Sequence, residues 1–167
     1  MADEKSESLT LRHVEARTHG RYVLRVPATA PPWPLLVGFH GYGETASAHL
    51  DALTRIPGTA AWLVVGVQAL HPFYTRDQRV VASWMTRDDR ELAIADNVDY
   101  VGRVLDAVRH EWTVAGTTVF AGFSQGGAMA YRAAARYPAN AVIVLTADVP
   151  ADVSASRTPL PPRDLGR

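Results

Sequence analysis

An α/β fold, with a mostly parallel sheet and an antiparallel hairpin at its N-terminus, is predicted by three observations. First, residues 35–39, 62–67, 117–121 and 141–147 are near-continuous apolar runs of strand composition. Parallel strands are covered on both faces, so they read as unbroken apolar runs rather than as alternation. Second, helical patterns lie between these runs from residue 35 onward, as strand–helix alternation requires. Third, Gly122-Phe123-Ser124-Gln125-Gly126 joins the end of one run to the start of a helical pattern. In that context G-x-S-x-G makes a sharp strand–turn–helix junction with the serine at its apex.

The elements follow in order. Residues 1–8 are charged and predict a disordered tail. Residues 9–16 and 21–26 alternate loosely around Thr18-His19-Gly20, which predicts the hairpin at a sheet edge. Ala30-Pro31-Pro32-Trp33-Pro34 is a stiff connection into the first apolar run. Residues 47–56 predict a short helix, with Ser47 as N-cap and Pro57-Gly58 as its stop. Residues 68–87 read as a long connection holding His71-Pro72-Phe73-Tyr74 and Ser83-Trp84-Met85.

The clearest helix is 88–112. Ile94, Val98, Val101, Leu105, Val108 and Trp112 recur at spacings of four and three, which draws one apolar stripe. Asp96, Asp99, Arg103, Asp106 and Arg109 fall on the wet side. An Ala-rich helix spans 125–137 and stops at Pro138. Domain organisation is then a tail over 1–8, one domain over 9–150 and an irregular, proline-bearing tail over 151–167.

Composition narrows the function. The 167 residues fit one domain or most of one. At 47% hydrophobic and 20% charged, the chain has ample material for the core of a soluble globular domain. Seventeen basic residues balance seventeen acidic ones, which argues against a nucleic-acid or polyanion partner. The absence of cysteine excludes disulfides, thiolate metal sites and a cysteine nucleophile. The N-terminal residues carry no apolar h-region and no run is long enough to span a bilayer, so a cytoplasmic location is expected by default.

Serine attack on an ester carbonyl needs a base for the hydroxyl proton, amide donors for the oxyanion, and a group that orients the base. Ser124 supplies the nucleophilic oxygen. The N–H of Gln125, at the start of a helix, supplies one donor by the geometry of the turn. A second donor is expected from His40-Gly41-Tyr42-Gly43, where two glycines let backbone approach a substrate oxygen, and Tyr42 N–H is the choice. His40 reads as a structural support for that loop. Phe123, Trp84 and Met85 are candidate substrate contacts, although Trp84 and Met85 read equally well as packing beneath a loop. Asp148 reads as a turn residue before Val149-Pro150, or as a group that orients a base. His13, His19, His49 and His110 read as surface residues.

With H-G-x-G and G-x-S-x-G in this order, the chain resembles the phospholipase/carboxylesterase family of α/β-hydrolases, relatives of the acyl-protein thioesterases. LVGFHGYGET (36–45), SWMTRDDRELAIADNVDYV (83–101) and VFAGFSQGGAMAYRAA (119–134) carry the resemblance, together with the run into Ala147-Asp148-Val149-Pro150. It implies a three-layer α/β-hydrolase fold and hydrolysis of small carboxylic esters or thioesters, with no metal or cofactor. It also implies an acid and a histidine after the seventh and eighth strands. No histidine follows Ser124 here; the last of six is His110. The expectation is therefore a domain lacking its last strands, truncated or frameshifted, with impaired catalysis and with 141–147 left as an exposed apolar edge. A degenerate hydrolase domain that binds a ligand or partner is the alternative, and recruitment of His71 as a base is a third reading. Acyl chain length and oligomeric state stay open.

Overall fold

The structure is a computed structural model that describes residues 9–154; the tails expected at 1–8 and beyond residue 154 lie outside the described residues. Its strands are β1 (Tyr22–Arg25), β2 (Trp33–Phe39), β3 (Leu63–Val67), β4 (His71–Tyr74), β5 (Val80–Ser83), β6 (Val114–Phe123) and β7 (Ala141–Leu145). Its helices are α1 (Ala46–Thr54), α2 (Arg90–Glu111), α3 (Gln125–Arg136) and α4 (Ala151–Ser154). The main sheet has the order β1-β3-β2-β6-β7. All pairings in it are parallel except β1 with β3.

Three layers result from the pleat. Leu35, Val37, Phe39, Val65 and Phe120 point to one face, where Val101 and Leu105 of α2 and Met129 and Ala130 of α3 cover them. Leu36, Val64, Val119 and Ala121 point to the other face and pack on Leu53 of α1. Leu105 is 1% exposed, whereas Asp96, Asp99, Arg103, Asp106 and Arg109 all face solvent, so the stripe buries the side that the period predicts.

Four details differ from the sequence reading. The antiparallel N-terminal strand is present, but its partner is β3, and residues 9–16 form no strand. Leu9, Leu11 and Val14 stay exposed, because alternation alone makes no strand where no neighbour takes up the ladder. Within that segment His13 Nε2 lies 2.8 Å from Asp89 Oδ1, and beyond it Tyr100 Oη donates to Arg21 O at 2.6 Å. The cap of α1 is Thr45 rather than Ser47, its Oγ1 accepting from Ala48 N–H at 3.2 Å. The 68–87 connection holds a separate two-stranded hairpin, β4–β5. Finally, the segment expected to be irregular starts with α4, pinned by Arg132, whose Nε and Nη2 donate to the Asp152 carboxylate at 2.8 Å.

Within the described residues β7 is an edge of the sheet. Val142 and Val144 lie beneath α3, while Ile143 and Leu145 are 46% and 62% exposed. This is the apolar edge that the sequence led us to expect.

Candidate active site

The end of β6 brings Ser124 to the C-terminal edge of the sheet. Ser124 has φ 52° and ψ −120°, a conformation that L-residues rarely adopt. Two hydrogen bonds hold it there: Ser124 N–H donates to Leu145 O, and Gly127 N–H donates to Ser124 O, both at 2.9 Å. Glycine is required on either side. A Cβ on Gly126 would run into the carbonyl oxygens of Phe39 and His40, and one on Gly122 into the carbonyl of Gly126. Helix α3 can therefore start hard against the end of β2 only because these positions lack side chains.

The loop after β2 is held by four hydrogen bonds. Gly41 N–H donates to Glu44 Oε2 at 2.7 Å. Glu44 N–H donates to Gly41 O at 3.3 Å, Gly43 N–H to Ala82 O at 3.0 Å, and Ala82 N–H to Glu44 O at 3.1 Å. Among the described residues, neither Tyr42 N–H nor Gln125 N–H meets an acceptor. Both amides are thus left open, that of Gln125 at a helix start, where the helix dipole adds partial positive charge.

His40 is fully buried beneath this loop. Its Nδ1 lies 2.8 Å from Gly41 O and its Nε2 accepts from Ala69 N–H at 3.1 Å. This pairing assigns the proton to Nδ1. Burial holds its pKa below the ordinary value, against the opposing pull of the Gly41 carbonyl and Glu44. His40 is therefore a neutral strut with both nitrogens engaged.

Trp84 and Met85, read as acyl-pocket lining or as packing, are buried at 0% and 3% exposure. Both fall in the core cluster, and both hydrogen-bond to residues around the site. Trp84 Nε1–H donates to His40 O at 2.8 Å. The Gln125 side chain accepts from Trp84 N–H at 2.8 Å and donates to Met85 O at 2.9 Å. Phe123 is 37% exposed and its ring rests on Gly41. The Gln125 side-chain clamp, Glu44 and the β4–β5 hairpin escaped the sequence reading. The pairing of Phe73-Tyr74 with Val80-Val81 across a polar turn was the available signal for the hairpin.

Among the described residues, no histidine is hydrogen-bonded to Ser124 Oγ. His71 is exposed at the start of β4, opposite Ser83, and His13 pairs with Asp89 at 2.8 Å. His49, expected at the surface, is buried at 8% exposure on α1. Asp148 is exposed beyond β7. No group of three or more His, Asp or Glu among the described residues has a metal-binding arrangement. No described helix is long and apolar enough to cross a membrane.

A parallel sheet covered on both faces, with a strained serine between its strand and its helix, defines an α/β-hydrolase. The phospholipase/carboxylesterase family profile matches residues 25–151, so the chain belongs to that family. Similar solved structures include a carboxylesterase from Bacillus cereus, with a TM-score of 0.59 at 15% identity over 75% of this chain and 58% of that one. An acyl-protein thioesterase 2 from Zea mays gives 0.54 at 17% identity over 75% and 61%. A phospholipase/carboxylesterase from Dyadobacter fermentans gives 0.54 at 20% over 74% and 58%. These likenesses are of fold. The chain spans about 60% of the length of these relatives. No curated protein matches it in sequence.

Proposed function

We propose that the chain carries the nucleophile and oxyanion site of a serine hydrolase acting on small carboxylic esters or thioesters. The observation that carries this reading is the Ser124 backbone, at φ 52° and ψ −120°, supported by the Tyr42 and Gln125 amides, which meet no acceptor among the described residues. Ser124 Oγ adds to the carbonyl carbon, and the two N–H groups take up the charge that develops on the carbonyl oxygen. Collapse of the tetrahedral intermediate expels the alcohol or thiol and leaves an acyl-Ser124, which water then hydrolyses. Both half-reactions need a base, and a hydroxyl without one is a poor nucleophile at neutral pH. The 167-residue chain should accordingly turn over slowly, because oxyanion stabilisation and binding alone sustain only about 10³- to 10⁴-fold acceleration over water.

The experiment is p-nitrophenyl acetate hydrolysis by the chain and by Ser124→Ala, with intact-protein mass spectrometry for the acetyl-enzyme. Slow acetylation at Ser124 that the alanine variant loses supports the reading. Fast turnover lost with Ser124→Ala would point to a recruited base, with His71→Ala the next variant to make. No acetylation at all would favour a degenerate domain that only binds a ligand or partner.

A further inference from the structure

An aromatic surface beside the open amides has no role in the chemistry above. The Tyr42 ring is stacked on Phe73, with centroids 5.2 Å apart and an interplanar angle of 28°. Phe73 covers one face of the ring, yet Tyr42 is 61% exposed, so the other face is open. The Phe123 ring rests on Gly41, the residue before Tyr42. Tyr42 and Phe73 thus make one stack, and Phe123, which directly precedes Ser124, lies against the residue before Tyr42.

The platform is rigid by construction. Phe73 belongs to the β4–β5 hairpin, and Ala82 of that hairpin exchanges hydrogen bonds with Gly43 and Glu44 on either side of their shared bridge. Loop and hairpin hold the two rings together before any ligand arrives, which lowers the ordering cost of binding. Two of the charges on these elements are engaged: Glu44 accepts from Gly41 N–H, and Arg79 pairs with Asp77 at 2.7 Å.

We propose that Tyr42 and Phe73, with Phe123, form a subsite for a planar, uncharged aryl group of the ester substrate. Its place beside the reacting centre rests on the reading of Ser124 as nucleophile. A flat ring extends the Tyr42–Phe73 stack on the open face of Tyr42, whereas a puckered alkyl ring of similar size gains only the burial of its surface.

Saturation-transfer NMR on the 167-residue chain tests this with acetanilide and N-cyclohexylacetamide, amides that resist hydrolysis and so report binding alone. Acetanilide should bind about 2- to 10-fold more tightly, the range that aromatic pairing adds beyond burial. Tyr42→Ala and Phe73→Ala should abolish the preference, and Tyr42→Phe should keep it. Equal affinities for the two amides, or an unchanged preference in Tyr42→Ala, would overturn the proposal. Acetylation of Ser124 by p-nitrophenyl acetate reads the nucleophile separately. An aryl preference without acetylation keeps the platform and removes the serine reading; acetylation without an aryl preference does the reverse.

Discussion

Ser124 keeps its strained backbone because both of its peptide groups are committed, the amide to Leu145 O and the carbonyl to Gly127 N–H. A conformation of this kind costs on the order of 1–3 kcal/mol and persists only where its surroundings over-determine it. Here the surroundings are a strand end, a helix start and two glycines that admit no Cβ. The consequence is a serine held at the strand–helix junction, directly before the open amide of Gln125. In a crystal of the chain phosphonylated at Ser124, the phosphoryl oxygen should lie about 3 Å from both Tyr42 N and Gln125 N. A separation beyond about 4 Å from Tyr42 N would assign that donor to another amide, since hydrogen bonding is then lost.

At the scale of elements, α2 shows how a local pattern becomes a packed layer. Val101, Leu105 and Val108 are buried at 0%, 1% and 1% exposure, and its charged residues ring the other side. The helix also reaches into the site's support, as Asn97 Nδ2 donates to Trp84 O at 2.9 Å. Leu105→Asp should therefore destabilise the domain by about 3–5 kcal/mol, because it buries a charge with no partner. The denaturant midpoint would measure it. A midpoint unchanged from wild type would mean that the stripe is not packed on the sheet.

For the whole molecule, two buried imidazoles contribute to the response to acid. Burial lowers the pKa of His40, and it lowers that of His49 on α1 with help from neighbouring His40, while Glu44 opposes both shifts. The His49 Nε2 meets no hydrogen-bond partner among the described residues, and Glu44 and the Ala121 backbone oppose the shift. Both groups titrate below 6.5 in the fold and near it in the unfolded chain. As pH falls through that value, the unfolded chain takes up protons first. Stability is thus fully present above the unfolded value and declines as pH falls toward the folded ones. The urea midpoint should drop between about pH 7.5 and pH 5.5, ahead of most carboxylate titration. His49→Leu should lessen that drop, since it removes one buried imidazole and leaves no partner unsatisfied. An equal drop in the variant would place the acid response elsewhere.

The sheet and the elbow were legible in the chain itself because both are written in contiguous residues. Leu35–Phe39 and Leu63–Val67 are apolar in sequence because each strand is covered on both faces, and Gly122 to Gly126 carries its small residues at the spacing the turn demands. Long-range choices were not legible. The alternation of residues 9–16 suits a strand, yet only the fold decides that β1 pairs with β3. Trp84 and Met85 look the same in sequence whether they line a pocket or fill a core, and only the fold buries them both. Tyr42 and Phe73 lie far apart in the chain and stack only because the β4–β5 hairpin returns to the loop after β2. Periodicity and turn chemistry act between neighbours along the chain. Stacking, burial and the choice of hydrogen-bond partner act between surfaces that meet only after folding.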